Sequence, residues 1–201
     1  MKKASFHRVM KGLIHPSLLG AALVWFLEDV TQLLPGRGNA SCSEPAVTAF
    51  QLWFEFLIIA YLPGAFLHVE DDTDYHLRKF AIDLVEGLAI VAIFILGFRQ
   101  VPPAIWIAYL ALAFLGLEGL VYHVNYTKHS PLDKGLVSVG FTIVGIAGSV
   151  LNAARGKLNI ELVECTNYIL LFVSYGLMVS YYLAREKPPL KAGESGNPPQ
   201  V

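Results

Sequence analysis

A five-residue string occurs twice in this chain, as Ile82-Asp83-Leu84-Val85-Glu86 and as Ile160-Glu161-Leu162-Val163-Glu164. Residues three apart share a helix face, so each copy sets two carboxylates on one side. Each copy then leads into about twenty mostly apolar residues, the length that crosses a bilayer. Acids at that depth are costly and face a bundle interior or a water-filled path. The doubled string therefore implies a multi-pass membrane protein with an acidic interior.

Composition agrees. Of 201 residues, 55% are hydrophobic and only 15% charged, and the mean hydropathy is +0.52, values that exclude an ordinary soluble domain. The net charge of -1 says nothing about nucleic acid, but no basic arm or nucleic-acid motif appears, so no nucleic-acid partner is expected. Two cysteines, Cys42 and Cys165, are too few for a disulfide framework; one bridge between them competes with two inert thiols. Lys2, Lys3, Arg8 and Lys11 before an apolar run look like a secretory signal. Glu28 and Asp29 interrupt that run where a signal core stays apolar, so it reads as a retained first membrane helix.

Length and hydropathy place six spans at 17–34, 46–69, 77–98, 103–124, 135–154 and 160–184. The expected fold is an all-α, polytopic transmembrane bundle of six helices. Residues 1–16 form a cytoplasmic N-terminus, 17–184 the membrane domain, and the Gly/Pro-rich 185–201 a disordered cytoplasmic tail. Pro35, Gly36 and Gly38 end the first span. Pro102 and Pro103 open the fourth, Pro131 lies in the loop before the fifth, and Pro63-Gly64 kinks the second. With the N-terminus inside, the inner segments hold Lys2, Lys3, Arg8, Lys11, Arg78, Lys79, Lys128, Lys134, Arg185, Lys187 and Lys191. The outer loops hold only Arg37, Arg99, Arg155 and Lys157, so both termini are expected in the cytoplasm. Asn39-Ala40-Ser41 is a glycosylation sequon close to the membrane, where chance explains it better than use.

Three helices per half would make the second half run opposite to the first. Leu27-Glu28 and Leu117-Glu118 then correspond, as do the two copies of the doubled string, as in the inverted repeats of many transporters. Short matches between apolar helices also arise without a repeat, and the fifth helix has no acid to match Glu55.

Polar or small residues recur at helical spacing: Ser17, Ala21, Glu28 and Thr31; Thr48, Gln51 and Glu55; Ser138, Thr142, Gly145, Ser149 and Asn152; Glu161, Glu164, Tyr168, Tyr175, Met178 and Tyr182. Such stripes face other helices, and for the fifth helix packing is the ready explanation. The acids Glu28, Asp29, Glu55, Asp83, Glu86 and Glu118 are the candidate proton- or ion-handling residues. Glu55 lies about 14 Å into its span at about 1.5 Å per residue. No Lys or Arg lies mid-span, so these carboxyls hold a proton, bond while neutral, or are balanced by a mobile cation. The alternative is a set of neutral structural carboxyls bonded to Gln51, Tyr and Ser/Thr. Glu161 and Glu164 are the weaker candidates, at a wet interface.

His68, His76, His123 and His129 fall at inner helix ends and loops without haem or zinc spacing, so no metal site and no cofactor are expected. Glu70-Asp71-Asp72-Thr73-Asp74 lacks the glycine and distal glutamate of a calcium loop and reads as a solvated turn. Trp25 and Phe26 flank Glu28, and Trp53, Phe54 and Phe56 surround Glu55. These are lipid-facing aromatics, or the walls of an apolar pocket with a Brønsted acid. In the second case Glu28 or Glu55 is the catalytic acid. A second-helix glutamate is similar to that of the small multi-pass terpene cyclases of fungal meroterpenoid pathways. Their asparagine before Trp-Glu and their late carboxylate are missing here.

Trp25-Phe26-Leu27-Glu28-Asp29, Trp53-Phe54, Asp71-Asp72-Thr73-Asp74 before Arg78, and Ala108-Tyr109 resemble the bacterial low-temperature-requirement A (LtrA-like) family. The resemblance spans most of this chain and about half that family's usual length, and it implies a polytopic membrane fold. No nucleotide loop, G-x-S-x-G or H-E-x-x-H string is present. The first functional expectation is a proton- or cation-linked transporter or channel, and a chain this small is expected to act as a homo-oligomer. Its partners are the lipid bilayer and a small ion. The alternatives are a membrane enzyme on an apolar prenyl or terpenoid small molecule, and a structural subunit of a membrane complex.

Overall fold

A computed structural model describes residues 3–32, 48–70, 75–99, 104–126 and 131–186. The chain runs through α1 (Lys3–Val9), a π turn (Met10–Ile14), α2 (His15–Gln32), α3 (Ala49–Glu70), α4 (Leu77–Ala92) with a π extension (Ile93–Phe98), α5 (Ile105–Tyr126), α6 (Pro131–Ala153), a 3₁₀ turn (Arg155–Lys157) and α7 (Ile160–Glu186). No strand occurs among the described residues. Six helices among them are long and apolar enough to cross a membrane, so the fold is an all-α bundle of membrane-length helices.

Two boundaries differ from those read in the sequence. The first helix is continuous from Lys3, well before residue 17, and its apolar run is Phe6–Gln32. Pro16 does not stop it: it follows directly on the π turn, an irregularity in the helical hydrogen-bond ladder that lets the chain pass a residue without an N–H. Pro131 opens α6 and does not sit in a loop, as a first-turn proline. The tail from 187, Cys42, the sequon at Asn39, Pro35, Gly36, Gly38, Pro102, Pro103, His129 and Asp71–Asp74 lie outside the described residues, as do the side chains of His68 and Glu70.

Small residues set the tightest packing. A Cβ on Gly116 would stand 2.5 Å from the Thr142 backbone nitrogen, and one on Gly145 would stand 2.3 Å from the Ala113 nitrogen. The backbones of α5 and α6 therefore touch, as small residues permit within a membrane. The stripe expected on α6 is the buried one: Ser138, Gly145 and Asn152 are buried and Thr142 and Ser149 half-buried.

Tyrosines tie α7 to α3. The Tyr175 hydroxyl donates to the Trp53 carbonyl (2.6 Å), and the Tyr182 hydroxyl donates to the Ala60 carbonyl (2.6 Å). Both pairs step by seven residues, so the two helices run parallel. The second bond lies in the turn where Pro63 removes a backbone N–H, and α3 stays helical through it.

Candidate functional site

The end of the bundle where α2 finishes and α3 starts carries a polar knot. Gln51 Nε2 donates to Asp29 Oδ2 (2.8 Å) and to Glu55 Oε1 (3.1 Å), so one amide joins two carboxyl groups from two helices. Arg99 closes the knot from the end of the π extension. It pairs with Asp29 at 3.5 Å and Glu28 at 3.3 Å, donates to the Trp25 carbonyl at 3.0 Å, and lies over the Trp25 ring. The π extension delivers it: the Arg99 N–H bonds the Phe94 carbonyl five residues back, which turns the helix end toward α2.

These contacts correct three expectations. A fixed cation does stand beside Glu28 and Asp29, because Arg99, assigned to an outer loop, folds back over the helix ends. Glu28 does not face inward; its side chain is 56% exposed, and Asp29 takes the buried place. The inward line on α2 is His15, Ala22 and Asp29, a seven-residue repeat, and not the stripe through Ser17, Ala21 and Glu28. Glu55 is fully buried as expected. Phe54 beside it packs edge-on against Phe98 and Tyr109 and fills the neighbouring space, while Trp53 and Phe56 point outward.

A second acidic group lies deeper toward the opposite end. Asp83 and Glu86 come from one face of α4, and Glu118 comes from α5. One carboxyl oxygen from each lies within 4.8 Å of the others. Asp83 and Glu86 are buried and Glu118 half-buried. At about 1.5 Å per residue, Asp83 and Glu86 stand roughly 9 and 14 Å along the apolar run Leu77–Phe98, inside the hydrocarbon depth. They line a cavity of about 60 Å³, whose walls include Tyr61, Tyr122, His123, Ser138, Phe141 and Tyr181. Leu57 and Ile58, buried on α3 just after Glu55, belong to the wall of this cavity, and Glu55 does not.

Hydrogen bonds hold the cluster from two sides. Tyr61 bonds Glu86, and the Tyr75 hydroxyl donates to Asp83 Oδ2. Tyr75 lies just outside the α4 span. Burial first, and then the Asp83 carboxylate, hold its hydroxyl protonated well above the usual phenol range. Glu86 Oε1 is buried and receives no hydrogen bond. Lys79, taken from sequence as a loop residue, is buried in the first turn of α4, one turn before Asp83.

The second copy of the doubled string faces the other way. Glu161 and Glu164 are exposed, Val163 is the buried residue, and Glu164 pairs with Arg155 at 3.1 Å. Asn159 caps α7 by accepting from the Glu161 N–H, which leaves this stretch as a helix start. The inward line of α7 is Val163, Asn167, Leu171, Ser174 and Met178, and Tyr168 is exposed. Asn167 and Asn152 exchange two amide hydrogen bonds (2.7 and 3.0 Å), and Tyr109 donates to the Asn167 carbonyl.

Sequence reading missed Arg99, Tyr61 and Tyr75 as partners of the acids, and the burial of Lys79. For Tyr61 the spacing held no signal: six residues after Glu55 turn about 240° round the helix, off the face of that acid. No family model, curated protein or solved structure matches this chain.

Proposed function

We propose that this multi-pass membrane protein moves protons or cations by way of its internal carboxylates, with Asp83, Glu86 and Glu118 at the centre of the path. The observation that carries this reading is the convergence of three acids from two helices on one cavity at membrane depth. Glu55 and Asp29 form the next polar station along the bundle. On this reading Leu57 and Ile58, in the cavity wall, serve as the apolar barrier between the two, the kind of layer a transport cycle opens and closes. Both termini are cytoplasmic, from the distribution of Lys and Arg in the sequence. The chain works as a homo-oligomer. The strings that resemble the LtrA-like family imply a polytopic membrane fold and name no activity.

The cavity size bears on the apolar-substrate alternative. About 60 Å³ is room for a few waters, at about 10–15 Å³ each. Glu28 and Glu55, the acids that reading would use, stand outside the cavity.

The test is flux. Proteoliposomes carrying the full chain and an internal pH dye, driven by a cation or proton gradient, should dissipate it. Glu86→Gln and Glu118→Gln should abolish the signal, and the exposed Glu161→Gln should leave it intact. Flux unchanged by both cavity variants overturns the proposal.

A further inference from the structure

The geometry points to a binding site for one hard divalent cation, of the Mn²⁺/Ca²⁺/Mg²⁺ class, held by Asp83, Glu86 and Glu118 in the cavity between α4 and α5. This deepens the reading above and rests on its premise that these carboxylates serve a cation.

The spacing fits. Two oxygens bound to one ion on opposite sides lie apart by twice the metal–oxygen distance. That is about 4.0–4.2 Å for Mg²⁺ and about 4.6–5.2 Å for Ca²⁺. The three carboxyl oxygens already stand within 4.8 Å of one another, so one ion meets all three with little movement. The donor set fits too. Carboxylate oxygens with hydroxyls and water suit hard ions, and the cavity leaves room for a few waters to complete six ligands.

An independent observation singles out one atom. Glu86 is 5% exposed, it lines the cavity, and its Oε1 is buried with no hydrogen bond. A buried carboxyl oxygen left unmatched is costly, and a metal ion is the partner that this cavity can accommodate. Three converging carboxyl oxygens call for a cation, and a divalent ion is the hard ion that holds several of them at once. His123 stands in the wall as the softest donor, so Mn²⁺ is the probe of choice among the hard ions.

The experiment uses the full chain, purified in detergent and stripped with a chelator, titrated with Mn²⁺ and followed by electron paramagnetic resonance of the free ion. The expected result is one Mn²⁺ bound per chain, displaced by Ca²⁺ or Mg²⁺. Glu86→Gln and Glu118→Gln should weaken binding at least tenfold. Glu118→Asp, which keeps the carboxylate, should weaken it less than Glu118→Gln, and Glu161→Gln should bind as the parent does. Helical circular dichroism confirms folding, and Glu118→Gln serves if Glu86→Gln does not fold. No bound Mn²⁺, or equal binding by parent and Glu118→Gln, overturns the inference. Proton flux that persists without metal binding overturns this inference and leaves the proposed function standing; metal binding without any flux does the reverse.

Discussion

Glu86 on α4 and Glu118 on α5 hold carboxyl oxygens within 4.8 Å of each other inside the bundle. Bringing two acids together in oil opposes folding, and sites of this kind trade stability for activity. In chelator at neutral pH, Glu118→Gln should therefore raise thermal stability, by about 1 kcal/mol, while it abolishes flux. Unfolding in detergent followed by circular dichroism measures this; a less stable variant would show that the carboxyl is a structural bond.

Arg99 is the counter-ion for buried Asp29 at the other polar station. Arg99→Gln leaves Asp29 beside Glu55 with only the Gln51 amide, and should cost about 3 kcal/mol. Asp29→Asn in the same chain should recover most of that loss. A double-mutant cycle in unfolding free energy tests the coupling, and purely additive effects would separate the two residues.

The contact of α5 with α6 depends on absent side chains. Gly145→Ala drives a methyl into the Ala113 backbone and should cost about 3 kcal/mol, at the upper end for overpacking. Gly20→Ala meets nothing within 4 Å and should be neutral or slightly stabilising. Comparison of the two melting temperatures decides it.

The paired amides of Asn152 and Asn167 clamp α6 to α7. Truncation of either to Ala strands the other's amide, and each single variant should cost about 1 kcal/mol. The double variant should cost barely more than either single one. Equal, independent losses would mean that the amides bond elsewhere.

Tyr182→Phe removes the hydroxyl that bonds the Ala60 carbonyl next to Pro63 and should cost about 1 kcal/mol. Tyr175→Phe, one heptad earlier, makes the comparison at a stretch of α3 without proline. Faster amide hydrogen exchange around residues 59–64 in Tyr182→Phe alone would be the signature expected.

Some of the site was legible in one dimension. Asp83 and Glu86 share a face because a helix places i and i+3 together, and that face is buried. Glu161 and Glu164 share a face for the same reason, yet theirs points outward. Periodicity reports which residues lie together, not which way they look. Glu118 was recognised as an acid within a span, but its meeting with Asp83 and Glu86 depends on how α5 is rotated against α4.

The sequence by itself determined the number of membrane-length helices and where they run, because burying backbone in hydrocarbon demands about twenty apolar residues in a row, and that demand is local. Only the tertiary structure decided that Asp29 and not Glu28 turns inward, that Arg99 returns to meet it, and that one copy of the doubled string lines a cavity while the other faces out. A helix apolar on nearly every side carries little information about its own rotation. That angle is set by where glycines let backbones touch and by which polar groups find one another across helices.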